Sequence, residues 1–337
     1  RLLKYADHDA DLRITVEDKG VKRFLLHSID EKRYEISGSY RLSNLLQILA
    51  EADKKGEVSI FISPEQIFNN PLDTLSSLIE ERFWGSLTRT LDEKGLITLL
   101  EDSKGDKDEY AHIYIPKSDE HALRVFSEIQ KKHAYTNLEV ITLPDKITPE
   151  YVQTLNDKPG ILSLALKEND EGEPFTVPGG RFNEMYGWDS YFHIRAHVLN
   201  EEYDLVESTI TNLLYEIKYY GAILNANRTY YLTRSQPPLL TSALLAYLPA
   251  MTEISYKEMF AKKVIEGAIA EYNNVWHNED RLCQNGLNRY YGAGIRRPCE
   301  VEPNHFDSVF APYAKEAGIP LEIYEAQYDK GEIVNKE

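Results

Sequence analysis

Residues 178 to 191 read Pro-Gly-Gly-Arg-Phe-Asn-Glu-Met-Tyr-Gly-Trp-Asp-Ser-Tyr, and no other stretch of the chain is as informative. Pro178 and the two glycines after it predict an irregular loop, because proline fixes one backbone dihedral and glycine tolerates dihedrals that other residues avoid. The residues that follow bring together charges, hydrogen-bonding groups and flat aromatic faces. Such a combination is suited to holding a carbohydrate. The alternative is a loop and a helix start that pack into a core.

The composition of the chain predicts a folded protein that acts on a neutral ligand. Its 337 residues are 42% apolar, an ordinary fraction for a globular protein, and suffice for one large domain or two smaller ones. The formal net charge of -17 argues against a nucleic acid or an anionic membrane as partner, since both require a positive surface. The 23 tyrosines against 11 phenylalanines suit carbohydrate binding, although half-buried tyrosines of an ordinary core would give the same count.

The chain holds two cysteines, Cys283 and Cys299, which predict neither a disulfide framework nor a zinc site and favour a reducing, cytoplasmic compartment. No stretch approaches the length of a membrane span, and the first residues lack the pattern of a signal peptide. The sequence starts at Arg1 rather than at a methionine and finishes in a polar run. We therefore expect it to be a segment of a longer protein.

The spacing of apolar residues predicts a mainly helical chain. Short strands are expected within residues 20–41 and at residues 113–116 and 139–143. Helices are expected around residues 42–49, 72–79, 119–133, 206–217, 239–250 and 260–272. Ser43 is the candidate cap of the first helix, and the charged residues 101–110 are expected to form a solvated loop.

Two further polar segments follow the first. Residues 224–238 read Leu-Asn-Ala-Asn-Arg-Thr-Tyr-Tyr-Leu-Thr-Arg-Ser-Gln-Pro-Pro, and this run predicts a loop because its prolines do not belong in a helix interior. The loop is either poised for hydrogen bonding to a ligand or simply solvated. Residues 297–307 read Arg-Pro-Cys-Glu-Val-Glu-Pro-Asn-His-Phe-Asp and hold a further cluster of charges.

An acidic loop lies close to the N-terminus. Positions 1, 3, 5, 7 and 12 of a calcium loop would be filled by Asp7, Asp9, Asp11, Arg13 and Asp18. Alternate carboxylates can converge on one cation, and position 7 contributes only its carbonyl, so an arginine is acceptable there. Leu12 replaces the usual glycine, and Asp18 replaces the glutamate that would bind through both oxygens. From the residues alone, the segment is a calcium loop or a solvated acidic turn.

Residues 178–191 and 224–238 resemble the trehalases, family 37 of the glycoside hydrolases. The first segment matches the first trehalase signature residue for residue, and the second departs from the corresponding family block only at Thr229 and Thr233. This resemblance implies a mainly α fold, an (α/α)6 toroid of which the chain would hold an incomplete part.

The acidic loop resembles that of the calcium-dependent, fungal-type neutral trehalases, which also lack the central glycine and end the loop with an aspartate. Residues 43–47 and 83–89 are similar to the same branch of the family. Residues 297–307 resemble a family Pro-x-Glu element less closely, since Arg296 and Arg297 look inserted. The resemblance to a neutral trehalase therefore extends over the whole chain.

The resemblance also implies how the chain is divided. A small calcium-binding, EF-like region would take up residues 1–40, and the N-terminal part of the catalytic domain would take up residues 41–337. Within the latter, residues 41–150 would be a lead-in segment, and residues 151–337 would carry the sugar-site loops and helices.

Site residues are carried over from the family residue by residue. The substrate-binding positions correspond to Arg181, Phe182, Tyr186, Trp188, Asp189, Asn225, Arg234, Gln236 and Glu300. Asp189 is expected to brace the loop or touch a sugar hydroxyl rather than act as a catalytic acid. Arg297 belongs either to the site or to the surface. Calcium would order the acidic loop rather than take part in the chemistry.

The activity implied by the resemblance is hydrolysis of trehalose to two glucose molecules with inversion. Such chemistry needs a carboxylic acid to protonate the leaving oxygen and a carboxylate on the opposite face to activate a water. The aspartate acid and glutamate base of the family correspond to positions beyond residue 337, and no Gln-Trp-Asp signature occurs in this sequence. We therefore expect the chain to hold much of the sugar-binding wall and neither catalytic residue.

The family further implies a 14-3-3 adaptor as partner, recruited by a phosphorylated segment upstream of this chain. If the gene product ended near residue 337, it would instead be a non-catalytic sugar-binding or regulatory protein. The sequence disfavours that hypothesis, because half a toroid would expose a large apolar face and should fold poorly. A different inverting glycosidase and a pure calcium sensor are two further hypotheses, and the two sugar-site blocks argue against both.

Overall fold

A computed structural model of the chain describes residues 7–9, 14–15, 17–101, 111–134, 137–297, 299 and 304–333. The chain divides into two compact units, Arg1–Phe83 and Trp84–Glu337. It is 51% helix, which confirms the prediction of a mainly α fold. The finer division predicted at residue 40 stays a prediction.

The described part of the N-terminal unit consists of a hairpin followed by helices. Its elements are β1 (Arg23–His27), β2 (Arg33–Ser37), α1 (Ser39–Lys54), α2 (Pro64–Phe68) and α3 (Pro71–Leu78), the last running into a π-helical turn at Ile79–Phe83. The strands pair antiparallel with Phe24 opposite Ile36, so the strands predicted within residues 20–41 are confirmed. Ser63 caps α2 by accepting a hydrogen bond from the N–H of Gln66.

Ser43 does not cap the first helix, and that prediction is wrong. Helix α1 begins at Ser39, directly after Gly38, whose φ of 87° lies in the left-handed region that glycine adopts without strain. Ser43 therefore stands inside the helix, and its hydroxyl donates to the carbonyl of Ile14 over 2.8 Å. The bond fastens the end of the acidic loop to α1. The buried core of this unit consists of Ile14, Ile36, Leu42, Leu45, Leu46 and Ile67.

The first part of the C-terminal unit contains a parallel sheet. Its described elements are α4 (Trp84–Leu87), β3 (Thr88–Arg89), α5 (Glu93–Glu101), β4 (Ala111–Pro116), α6 (Glu120–Lys132), β5 (Leu138–Leu143), α7 (Pro149–Thr154), β6 (Gly160–Leu162) and β7 (Phe175–Thr176). Strands β4 and β5 and helix α6 confirm the elements predicted at these places, whereas β6 was not predicted. The sheet order is β5-β4-β6, and both pairs are parallel, as the intervening helices allow. Residues 102–110 of the predicted charged loop lie outside the described residues.

Helices make up most of the remaining chain. They are α8 (Gly187–Leu199), α9 (Tyr203–Tyr220), α10 (Leu240–Tyr247), α11 (Ile254–Glu271), α12 (Asp307–Ala317) and α13 (Leu321–Lys330). Helices α9, α10 and α11 confirm the three helices predicted between residues 206 and 272. Helix α9 ends at Gly221, whose φ of 82° makes a left-handed C-cap. Among the described helices, none is long and apolar enough to cross a membrane.

The largest core joins the sheet to helices α8 to α11. It includes the fully buried side chains of Ile113 on β4, Phe126 on α6, Ile194 on α8 and Ile210 on α9. Apolar burial of this extent is the main force that holds a helix in place. The core therefore fixes the helices from which the functional loops emerge.

One polar side chain, Asn212 on α9, is buried beside this core. It is 0% exposed, accepts a hydrogen bond from the N–H of Ala165 over 3.0 Å, and donates to the carbonyl of Glu173 over 2.9 Å. Both partners belong to the connection between β6 and β7. Asn212 thereby pairs two backbone groups that would otherwise be buried without a partner.

We predict that Asn212→Ala lowers the free energy of unfolding by about 2 kcal/mol, because it removes the partners of two buried backbone groups. Thr211→Ala is the matched control, since Thr211 is half-buried on the same helix and its side chain makes no hydrogen bond within the described chain. Urea denaturation of both variants measures the difference. Equal losses of stability would contradict the role of Asn212.

Candidate functional site

The candidate site is organised around a fully buried asparagine, Asn227. Its side chain accepts a hydrogen bond from the N–H of Met185 over 2.8 Å and donates to the carbonyl of Leu162 over 2.9 Å. Its backbone accepts from the N–H of Leu162 over 2.8 Å and donates to the carbonyl of Met185 over 3.3 Å. These bonds join strand β6, the signature segment (residues 178–191) and the site loop (residues 223–236) at one point.

The site loop folds back on itself and brings predicted substrate-binding residues together. The N–H of Asn225 donates to the carbonyl of Arg234 over 3.2 Å. The side-chain amide of Gln236 donates to Oδ1 of Asn225 over 2.7 Å. Asn225, Arg234 and Gln236 are therefore neighbours across the loop, and the Asn225 amide nitrogen makes no hydrogen bond with any described residue.

The signature segment meets the site loop at Gly187, the first residue of α8. The N–H of Gly187 donates to the carbonyl of Asn225 over 3.1 Å. A Cβ atom added to Gly187 would lie 2.5 Å from the carbonyl oxygen of Leu224 and 2.8 Å from Cγ of Gln236. The close approach of two backbones therefore requires glycine at this position.

Two aromatic side chains of the signature segment, Phe182 and Tyr186, lie beside its arginine, Arg181. Phe182 and Tyr186 pack edge to face with ring centroids 5.4 Å apart, and the guanidinium of Arg181 lies 5.0 Å from the centre of the Phe182 ring. Trp188 is 48% exposed and packs against Phe192 at a centroid distance of 6.3 Å. An exposed aromatic face can stack on a sugar ring, and a charged donor can bind sugar hydroxyls.

The charged residues of the two segments fall into two groups. Arg228 and Glu184 form an ion pair, in which Nε of Arg228 donates to Oε1 of Glu184 over 2.8 Å and Nη2 donates to the same oxygen. Burial alone raises the pKa of Glu184, but the charge and hydrogen bonds of Arg228 outweigh burial and hold this pKa below its usual range. Arg181 and Arg234 make no ion pair with any residue that the structure describes. Both guanidinium groups lie over aromatic rings instead, at 5.0 and 5.9 Å.

Asp189 lies half-buried in the first turn of α8, where the helix dipole favours a negative charge. Within the described chain it accepts no hydrogen bond. Its charge faces His193 one turn later; burial lowers the pKa of His193, and the charge of Asp189 partly offsets that effect. The choice between a bracing role and a sugar contact stays a prediction.

Arg297 is held by two acids and is not an isolated surface charge. Its Nε donates to Oδ1 of Asp329 over 2.9 Å, and its Nη1 lies 3.3 Å from Oε1 of Glu325. The hydrogen bond to Asp329 and the charges of both acids raise the pKa of Arg297. Both acids belong to α13, so the ion pairs anchor that helix. Glu300, the predicted substrate-binding residue of this segment, lies outside the described residues.

The acidic loop is described at three of the five predicted ligand positions. Those positions are Asp7, Asp9 and Asp18, whereas Asp11 and Arg13 lie outside the described residues. Ligand atoms of His8, Asp9 and Asp18 lie within 4.8 Å of one another. The ring of His8 and the N–H of Thr15 bond the Asp18 carboxylate and hold its pKa well below its usual range. The carboxylate oxygens suit a hard cation such as calcium, whereas the His8 nitrogen does not.

Sequence reasoning did not single out Asn227 or the pairing of Glu184 with Arg228. Asn227 stands in the same polar run as Asn225, and its residue type carries no signal that it is buried. Glu184 and Arg228 are distant in sequence, so their contact depends on how the two segments meet. Neither the burial of Asn227 nor the Glu184–Arg228 ion pair can be predicted from the local sequence.

We predict that Gly187→Ala destabilises the protein by about 1–3 kcal/mol, because its Cβ would press on the backbone of the site loop. Gly180→Ala is the matched control from the same segment, since nothing lies within 4 Å of an added Cβ there. Calorimetry should show a lower Tm for Gly187→Ala and a nearly unchanged Tm for Gly180→Ala. The same Tm in both variants would show that the close approach at Gly187 is not a constraint.

Known proteins resemble this chain along its whole length. A family model described as Trehalase matches residues 60–333. A cytosolic neutral trehalase of Emericella nidulans is 39% identical over 100% of this chain and 47% of the relative, and one of Saccharomyces cerevisiae is 38% identical over 98% and 46%. The solved structure of neutral trehalase Nth1 from Saccharomyces cerevisiae is similar with a TM-score of 0.71 and 38% identity, covering 78% of this chain and 50% of that chain.

The mainly helical fold matches that of the solved trehalase structure, and an incomplete (α/α)6 toroid is consistent with it. More particularly, the chain belongs to the trehalase family, so the resemblance noted in the sequence is confirmed. The chain spans about half the length of the curated relatives that it matches.

Proposed function

We propose that the protein carrying this chain hydrolyses trehalose to two glucose molecules, and that the chain supplies part of the wall that holds the sugar. The observation that carries this proposal is the grouping of Asn225, Arg234 and Gln236 on the site loop, which Asn227 joins to the signature segment. Membership of the trehalase family supports it.

The proposed role of each side chain follows from its chemistry. Arg181 and Arg234 donate charged hydrogen bonds to sugar hydroxyls. Asn225 donates through its amide nitrogen, since its oxygen already accepts from Gln236. Trp188 offers its exposed face to the apolar side of a sugar ring.

The proposed hydrolysis proceeds with inversion of configuration. An acid and a base must then lie on opposite faces of the sugar, with room for a water beside the base. We assign neither role to a residue of the site loop or the signature segment. The catalytic acid and base are proposed to come from residues outside this chain.

We predict that Arg181→Ala and Arg234→Ala each lower kcat/KM for trehalose about 100-fold, since losing a charged donor to the substrate costs about 2.7 kcal/mol. The measurement is glucose release by the full-length protein. Arg195→Ala is the matched control, because Arg195 is exposed on α8 and has no proposed contact with the sugar.

Undiminished turnover in either arginine variant would rule out the proposed pocket. If the wild-type protein bound trehalose without releasing glucose, non-catalytic sugar binding would replace hydrolysis as the function.

We also propose that the protein acts in the cytosol, since relatives from three fungi are named cytosolic neutral trehalases. Recruitment of a 14-3-3 adaptor stays a prediction that rests on family resemblance alone.

We further propose that the acidic loop binds calcium. The closeness of the Asp9 and Asp18 carboxylates supports this, because a cation between them would relieve their mutual repulsion. Asp7 is buried at 6% exposure at the start of the loop. When bound, calcium would act as a structural cation that orders the loop.

We predict that calcium raises the Tm of the protein by several degrees, because a ligand that binds only the folded state stabilises it. Asp9→Ala should remove most of this increase, because it deletes an oxygen ligand. Magnesium should have a smaller effect, since it requires a tighter octahedral site. Asp53→Ala is the control, because Asp53 is an exposed acid on α1.

Thermal unfolding after chelator treatment, with each metal added back, measures these shifts. A calcium shift that persists in Asp9→Ala, or equal shifts with both metals, would refute a calcium site in this loop.

A further inference from the structure

Two glutamates are buried beneath the site loop. Glu216 on α9 is 0% exposed, and Glu271, the last residue of α11, is 2% exposed. Neither forms an ion pair with any residue in the described chain. Burying an acid without a cation costs free energy, so each carboxyl group needs another reason to be there.

Both carboxyl groups accept hydrogen bonds from the backbone of the site loop. The N–H of Leu224 donates to Oε2 of Glu216 over 3.1 Å, and the N–H of Ile223 donates to Oε1 of Glu271 over 3.4 Å. These amides are consecutive, and Asn225 is the next residue. Two different helices therefore hold the first arm of the loop directly before its substrate-binding asparagine.

The second arm of the loop is held by Arg281. This residue is 5% exposed, and its Nη2 donates to the hydroxyl of Ser235 over 2.7 Å. Ser235 forms an antiparallel bridge with Leu224. The two arms of the site loop are thus fixed at the Leu224–Ser235 bridge. Leu224 is next to Asn225 in the chain, and Ser235 is next to Arg234.

Burial raises the pKa of both acids, to about 7 for Glu271 and well above the usual range for Glu216. The charge of Glu271 raises the pKa of Glu216 further, and Arg281 lowers that of Glu271. Tyr220 also faces Glu216. A carboxyl group keeps an acceptor oxygen in either protonation state, so the bonds to the loop do not require a charge.

We propose that Glu216 and Glu271 are positioning residues for substrate binding, which fix the site loop so that Asn225 and Arg234 stand ready for the sugar. The inference rests on the proposed trehalose-binding function of this loop. It assigns the two acids no contact with the substrate.

Glu207 provides a matched control on the same helix as Glu216. Its carboxylate accepts hydrogen bonds from the hydroxyls of Tyr247 and Tyr256, each over 2.6 Å. These tyrosines belong to α10 and α11. Glu207 therefore joins helices and leaves the site loop untouched.

The test uses the full-length protein with Glu216→Ala, Glu216→Gln and Glu207→Ala. We expect Glu216→Ala to raise KM for trehalose about 10-fold with kcat changed less than about threefold, since it displaces binding groups rather than reacting ones. Glu216→Gln keeps an acceptor for the Leu224 N–H and should return KM to within about threefold of the wild type. Glu207→Ala should lower Tm and leave KM unchanged.

Hydrogen–deuterium exchange of peptides covering residues 223–236 is the second readout. Faster exchange in Glu216→Ala, together with the higher KM, would support the proposal. An unchanged KM and exchange rate in that variant, or an equal rise of KM in Glu207→Ala, would overturn it.

If Glu216→Ala fails to fold, Glu216→Asp takes its place with the same criteria, because its shorter side chain withdraws the acceptor from Leu224. A wild-type protein that neither binds nor hydrolyses trehalose, with exchange still faster in the Glu216 variant, would overturn the proposed function. The positioning of the loop by Glu216 would then remain supported.

Discussion

The hydrogen bonds of Asn227 are the constraint on which the candidate site depends. A buried amide must pair both its donor and its acceptor, or the protein loses stability for each group left unpaired. Asn227 satisfies this condition only where strand β6, the signature segment and the site loop meet. Gly187 allows the signature segment to approach the site loop closely, because no side chain would fit between the backbones of these two segments. Segments far apart in sequence thus become one structural unit.

Ion pairing separates the arginines near the candidate site into two groups. Glu184 and Arg228 neutralise each other, and Arg297 is neutralised by acids of α13. Arg181 and Arg234 rest on aromatic rings without an acid partner among the described residues. A neutral, hydroxyl-rich ligand can use such a donor without having to displace a competing carboxylate.

The local sequence pattern predicted the helices and the polar segments. It failed where the structure depends on contacts between residues that are distant in sequence. Helix α9 follows from apolar residues at helical spacing, and the loop at residue 178 follows from proline and glycine. Strand β6 is only three residues long and is a strand because β4 lies beside it. Ser43 had the residue type of a cap, but the helix begins at Ser39. The burial of Asn227 is likewise a property of the assembled fold.

Side chains on an irregular loop take their precision from the rigid elements beneath it. Here the bonds are made next to the proposed substrate-binding residues, since Leu224 precedes Asn225 and Ser235 follows Arg234. The choice of an acid at position 216 has a physical reason. Oε1 of Glu216 is buried without a hydrogen-bond partner in the described chain. A carboxyl group brings at most one hydrogen to such a place, whereas an amide brings two. Glutamate therefore supplies the acceptor that the loop needs and brings fewer hydrogens to be paired than glutamine would.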